Sequence, residues 1–238
     1  MIFLGMGIEE IQQQIASDYI KVTKWVQSRA TVIREWFCRQ KDVSTNIMRW
    51  KSPNNNIWYV MLWRVEGKDP ELSYFTVVES NRGKFVFHPQ LGNNAMCLII
   101  FLPHFIKRYR ERAKLSKSMT TMQVIRRYLR RNSNGSANSY RNGKRMMYEV
   151  TTNDGVGLGV WVGMRARLMK TFITRDMSYG KQVERYEELE ARRKTIIEGQ
   201  SYYNDDIAEE MKLFGLNDAE FMERWTENNQ LNQEENGI

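Results

Sequence analysis

The sequence predicts an α+β protein, and three observations carry that prediction. Residues 8–40 place apolar side chains at spacings of three and four. Residues 45–88 change to short aromatic and β-branched runs separated by turn residues. A second set of such runs, over 144–174, follows a pair of basic helical segments and precedes charged helical ones. At 238 residues and 42% hydrophobic, the chain has enough apolar material for one or two cores.

In the first segment Ile8, Ile11, Ile15, Tyr19, Val22, Val26, Ala30, Ile33 and Phe37 form one stripe, with Glu, Gln, Lys and Arg between them. This reads as one long helix or two in line, its stripe a core face or a seam for a partner helix. Runs at 45–50, 57–65, 72–79 and 84–88 are separated by Ser-Pro-Asn, Gly-Lys-Asp-Pro and Asn-Arg-Gly turns. They read as an antiparallel meander with Trp50, Trp58 and Trp63 in its core. Residues 95–101 are either a buried strand or the lead-in to a helix. Pro103 suits the first position of a basic helix over 103–115, and a second helix spans 120–131 with Met122, Ile125, Tyr128 and Leu129 to one side. Residues 132–143 carry almost no apolar side chain and read as a loop. Asn153, Asp154 and Gly155 mark a hairpin turn between 144–152 and 156–162, and Gly163 permits a further turn into 167–174, a three-strand meander. Residues 176–197 read as a charged helix, and Asn217 to Glu220 as a capping signature for a last helical unit. The expected organisation is one α+β domain over 1–200, with helix 8–40 as an extension, and an acidic helical appendage over 201–238 ending in a frayed tail.

Charge is segregated. Residues 101–150 hold 13 Lys and Arg against Glu111 and Glu149, a local net of +11, within a chain whose net charge is +8. Residues 201–238 hold 10 Asp and Glu against Lys212 and Arg224, a local net of −8. A concentrated basic block is the footprint expected for phosphate backbones, and an acidic segment able to fold onto it would screen it. A basic face that only keeps a helix solvated is the plainer alternative.

Several classes are excluded by what the chain lacks. Its longest apolar run, 95–102, falls well short of the roughly 18 residues of a membrane span. The first residues carry no basic leader, and two cysteines, Cys38 and Cys97, make no disulfide framework. A soluble cytoplasmic protein without membrane partners is expected. With only His88 and His104 and no paired cysteines, neither a metal site nor a cofactor is expected. Gly155, Gly157 and Gly159 fall in a hairpin strand rather than opening a helix, so they are not a phosphate loop.

One constellation points to chemistry. His104, Arg108 and Arg112 stand at i, i+4 and i+8 and share a helical stripe. A neutral imidazole beside guanidiniums can take the proton of an RNA 2′-hydroxyl while fixed cations stabilise the growing phosphorane charge. DNA lacks that hydroxyl, which favours RNA over DNA as partner. A helical His followed by arginines is more often packing and phosphate grip than catalysis. Lys170 and Thr171 lie on the last expected strand, where an edge Lys needs no catalytic reason.

These pieces, His104-x3-Arg108-x3-Arg112 on a helix and Lys170 with Thr171 on a late strand, resemble the small ribonuclease fold of RelE-type toxins and the barnase, EndoU and colicin-type nucleases. The resemblance covers residues 95–175. It implies metal-independent RNA cleavage with His104 as acid or base, Arg108 and Arg112 on the phosphate, and Thr171 and Lys170 orienting it. A second acid/base group would have to be Tyr109, Tyr148 or Glu149. The expected grip on nucleic acid further includes Lys107, Arg110, Arg126, Arg127, Arg130, Arg131, Lys144 and Arg145.

Two other classes compete. Helices 103–115 and 120–131 would make a helix-turn-helix DNA-binding module, with Thr120, Thr121 and Gln123 facing bases. Alternatively the chain is a structural or interaction protein, joined to a second copy or another protein through the N-terminal stripe or the acidic C-terminal helices.

Overall fold

The computed structural model describes residues 1–39, 45–63, 71–92, 95–163, 165–178, 180 and 182–195. Two helices, α1 (Ile8–Gln27) and α2 (Ala30–Arg39), precede five strands: β1 (Thr45–Lys51), β2 (Ile57–Trp63), β3 (Glu71–Ser80), β4 (Gly83–Gly92) and β5 (Ala95–Phe101). Helices α3 (Pro103–Arg112) and α4 (Thr121–Arg131) follow, then β6 (Ser136–Asn142), β7 (Arg145–Thr152), β8 (Gly155–Trp161) and β9 (Ala166–Ile173). A 3₁₀ turn, Arg175–Met177, leads to helix α5, residues 182–195. The class is α+β. The chain divides into two compact units, Met1–Glu190 and Ala191–Ile238. Of the second only 191–195 are described, so the acidic segment 201–238 and its capping signature lie outside the described residues.

The strands form one sheet in the order β1-β2-β3-β4-β5-β9-β8-β7-β6. Every pairing is antiparallel except β5 with β9, which runs parallel from Leu98–Ala166 to Phe101–Met169. Sequence patterning suggests separate sheets flanking the basic helices. They are instead fused, because the chain leaves β5, passes through α3, α4 and three strands, and returns β9 beside β5. Residues 136–142, expected as loop, form edge strand β6, paired with β7 from Ser136–Thr151 to Asn142–Arg145. Backbone pairing alone suffices at an edge, so the apolar pattern that marks inner strands is missing there.

Alternation along the inner strands gives the sheet two apolar faces. On one, Trp58, Val60, Leu62, Phe87, Leu98 and Ile100 meet Ile11, Ile15, Val22 and Val26 of α1. Asp18 shares that helical stripe and is fully buried. It accepts hydrogen bonds from Asn54 Nδ2 at 2.8 Å, Asn56 Nδ2 at 2.7 Å and Trp58 Nε1 at 3.2 Å, so its burial is compensated. On the other face Phe75, Val86, Ile99 and Phe101 meet Phe105, Ile106 and Tyr109 of α3 and Val124, Ile125, Tyr128 and Leu129 of α4. Rings there pack edge to face, with Tyr109–Tyr128 and Phe105–Tyr128 centroids 4.9 and 5.1 Å apart. Trp58 and Trp63 are buried, and Trp50 is partly so against Trp25, 6.3 Å away.

Candidate functional site

Helix α3 starts at Pro103, a residue whose fixed φ and missing N–H suit a first helical turn. Burial of Phe105, Ile106 and Tyr109 against the sheet turns the polar stripe outward. His104 is exposed, and Arg108 and Arg112 are half-buried. Arg108 Nε donates to His104 Nε2 at 3.3 Å, and its Nη1 pairs with Glu111 Oε2 at 3.0 Å.

Arg112 is turned toward β9. It lies 3.5 Å from Thr171 Oγ1 and donates to the Phe172 carbonyl. The bulge in β9 arranges this meeting. Leu158 pairs with Thr171 and Gly159 with Met169, so Lys170 is the extra residue. The extra residue also explains why Met169 and Phe172, three apart, both reach the α3–α4 core. The structure thus joins His104 with Arg108, and Arg112 with Thr171. Eight residues of helix, about 12 Å, separate the ends of the His104–Arg112 stripe.

The three candidate second groups are engaged elsewhere. The Tyr109 hydroxyl donates to Asp154 Oδ2 at 2.6 Å. Glu149 accepts from Tyr140 at 2.9 Å and pairs with Arg185 at 3.3 Å. Tyr148 is buried on β7, edge-on to Trp161 and beneath the Arg167 guanidinium.

The basic residues do not act as one patch. Arg131 pairs with Asp154 at 2.9 Å, and Arg130 Nη1 donates to Thr45 Oγ1 at 2.9 Å. Arg126 and Arg127 are half-buried, with Arg127 Nε enclosed and unbonded. Lys144 and Arg145 stand exposed at the β6–β7 turn. In the sheet order β7 is four strands from β4, about 19 Å at ordinary strand spacing. Lys107 and Arg110 belong to a second arrangement that sequence reasoning missed. The β3–β4 turn brings Arg82 and Lys84 to the start of α3, where they line a cavity of about 460 Å³ with His104, Lys107, Arg110 and Thr121. Lys84 is paired with Glu79, and Arg110 Nη2 donates to the Met119 carbonyl at 2.9 Å. Arg82 lies in the Asn-Arg-Gly turn, read from sequence only as a turn signal. Its neighbour Gly83 has φ of 113°, which a side chain would resist, so the tight hairpin fixes where Arg82 stands.

At the start of α4, Thr120 Oγ1 accepts from Gln123 N at 3.3 Å, and Gln123 Oε1 accepts from Thr120 N at 2.6 Å. This reciprocal cap engages two of the three side chains that a helix-turn-helix would point at bases.

Comparison with protein-family models, curated proteins and solved structures gives no match. Among the described residues no helix is long and apolar enough to cross a membrane.

A second missed feature is His88. Its Nε2 lies 2.9 Å from Ser73 Oγ, its Nδ1 is enclosed without a partner, and burial pushes its pKa down to about 4. An unpartnered enclosed polar atom costs about 1–3 kcal/mol. The two residues are fifteen apart on different strands, and their pairing leaves no local sequence signal.

Proposed function

We propose that the chain binds RNA through the basic concavity at the start of α3 and the outer side of α3 and α4, and that His104 at its rim cleaves the bound strand without a metal ion. One observation carries the binding half. Basic side chains from two separate segments, the β3–β4 turn and α3, converge with Thr121 of α4 on a single 460 Å³ hollow. A merely solvated helix face needs no such convergence, whereas a phosphate does. Arg126 and Arg127 extend the grip along α4.

For cleavage, His104 Nε2, released from Arg108 Nε, takes the 2′-hydroxyl proton, the freed oxygen attacks the adjacent phosphorus, and the 5′-oxygen departs with a proton from solvent water to leave a 2′,3′-cyclic phosphate. Arg108, held by Glu111, faces the same ring nitrogen and stabilises charge on the phosphorane. Arg112 holds β9 to α3 and orients Thr171. Lys170, the extra residue of the β9 bulge, supplies a further cation.

Fluorescence anisotropy with a labelled 12-nucleotide RNA tests binding. Arg82→Ser with Lys107→Ser is expected to weaken it at least tenfold with the fold intact, and equal affinity in the double variant sinks the grip. RNA incubated in excess chelator tests turnover. Cleavage by the wild type that His104→Ala loses supports the catalytic role, and no cleavage by either protein removes it.

A further inference from the structure

The sheet comes apart between β3 and β4. These strands pair only from Thr76–Phe87 to Ser80–Gly83. Beyond that, Glu71 to Phe75 stay paired with β2, and His88 to Gly92 with β5, but the two edges do not pair with each other. The fissure opens into a cavity of about 510 Å³, within the range of ligand pockets. Tyr19 and Tyr74 line it from the α1 side, and Phe101, Tyr128 and Tyr148 from the α3–α4 side. Ser73 and His88 bridge the gap through their side chains, and Gln90 joins them on the wall.

The chemistry of this wall differs from the rest of a basic protein. No Lys or Arg lines it among the described residues, and Glu71 is its single charge. A phosphate finds no counter-charge there. An alkyl chain would leave His88 Nδ1 and the Gln90 amide without partners, a desolvation penalty with nothing to offset it. A flat heteroaromatic ring with donors and acceptors on its edge meets both demands, since it stacks on tyrosine and bonds the amide and hydroxyl. The cavity is also tied to the basic hollow by one helix. Thr121 at the start of α4 lines the hollow, and Leu129 and the cap Asn132 at its end line the cavity. Eleven residues of helix separate the two by about 17 Å, a distance a few nucleotides can span.

We propose that the β3–β4 fissure is a base pocket, taking an unstacked nucleobase from a strand whose phosphates lie on α3 and α4. The strand rests on the function proposed above; the pocket is testable without it, because nucleosides carry no phosphate. The full chain is titrated with adenosine, guanosine, cytidine and uridine, followed by its intrinsic tryptophan fluorescence, to which Trp63 on the cavity wall contributes. At least one nucleoside is expected to bind saturably. Gln90→Leu and Tyr74→Leu are each expected to weaken it at least fivefold while the fold stays intact and the salt dependence of RNA binding stays as in the wild type. No saturable binding of any nucleoside, or unchanged binding in both variants, overturns the pocket. RNA binding that survives such a failure leaves the cationic grip standing. Nucleoside binding in a protein that ignores RNA keeps the pocket and removes the grip.

Discussion

Asp154 shows how a turn residue becomes a fastening point. It sits between β7 and β8, yet accepts hydrogen bonds from Tyr109 of α3, Arg131 of α4 and Asn132 just beyond α4, and its own N–H donates to Asn132 Oδ1 at 3.0 Å. Burial pushes its carboxyl up, but the hydrogen bonds from Tyr109, Arg131 and Asn132 and the charge of Arg131 outweigh it, and the net direction is down. A carboxylate depressed in the folded state stabilises above its unfolded pKa, about 3.9, and that contribution disappears as pH falls through the folded value. Asp154→Ala is therefore expected to lower the urea-unfolding free energy by about 3 kcal/mol at pH 7, with the gap to wild type closing below about pH 4. His88 works in another window. Its folded value is about 4 against 6.5 for the free side chain, so the unfolded chain takes up a proton first as pH falls. Wild-type stability is expected to decline from about pH 6.5 down to about pH 4, and His88→Phe to flatten that decline most clearly in its upper part, above the carboxylate range.

At the scale of elements, β8 is shaped by what crosses it. A Cβ on Gly157 would lie 2.7 Å from Met169 Cε and 3.4 Å from Phe105 Cε2, and one on Gly159 would lie 2.5 Å from the Leu168 carbonyl oxygen. Both glycines keep this strand flush with its neighbours, which explains their spacing without any phosphate loop. Gly159→Ala is expected to destabilise more than Gly157→Ala in thermal melts, because a methionine tip can move and a strand carbonyl cannot. The spacing that marks α1, α3 and α4 is readable because each helix buries one face, and the inner strands because both their faces are apolar. Strand β6 was unreadable because its side chains are nearly all polar and mostly exposed, and the β9 bulge because an extra residue carries no composition of its own.

Across the whole molecule, the +11 block of residues 101–150 is divided by the fold rather than gathered. Arg131 is spent on Asp154 and Arg112 on β9, while Arg82, from outside the block, joins Lys107 and Arg110. Single-stranded binding loses about 0.7 in the slope of log affinity against log salt for each phosphate contact removed. The Arg82→Ser, Lys107→Ser variant is expected to flatten the slope by about 1.4, and Lys144→Ser with Arg145→Ser to leave it unchanged. A flattening of similar size from the second pair would mean that the strand crosses the sheet to β7 instead.

The sequence by itself determined the α+β class, the amphipathic helices and the basic excess, because periodicity and charge are local properties that survive in any fold. It also placed His104 beside Arg108, since four residues of helix bring the two together whatever surrounds them. Tertiary structure alone decided that β9 returns beside β5, that Arg82 meets α3, that Arg112 finds Thr171, and that Ser73 faces His88 across a broken ladder. Each of those pairs is joined by strands or turns distant in sequence, and pairing of that kind depends on which edges remain open when the rest of the chain has folded.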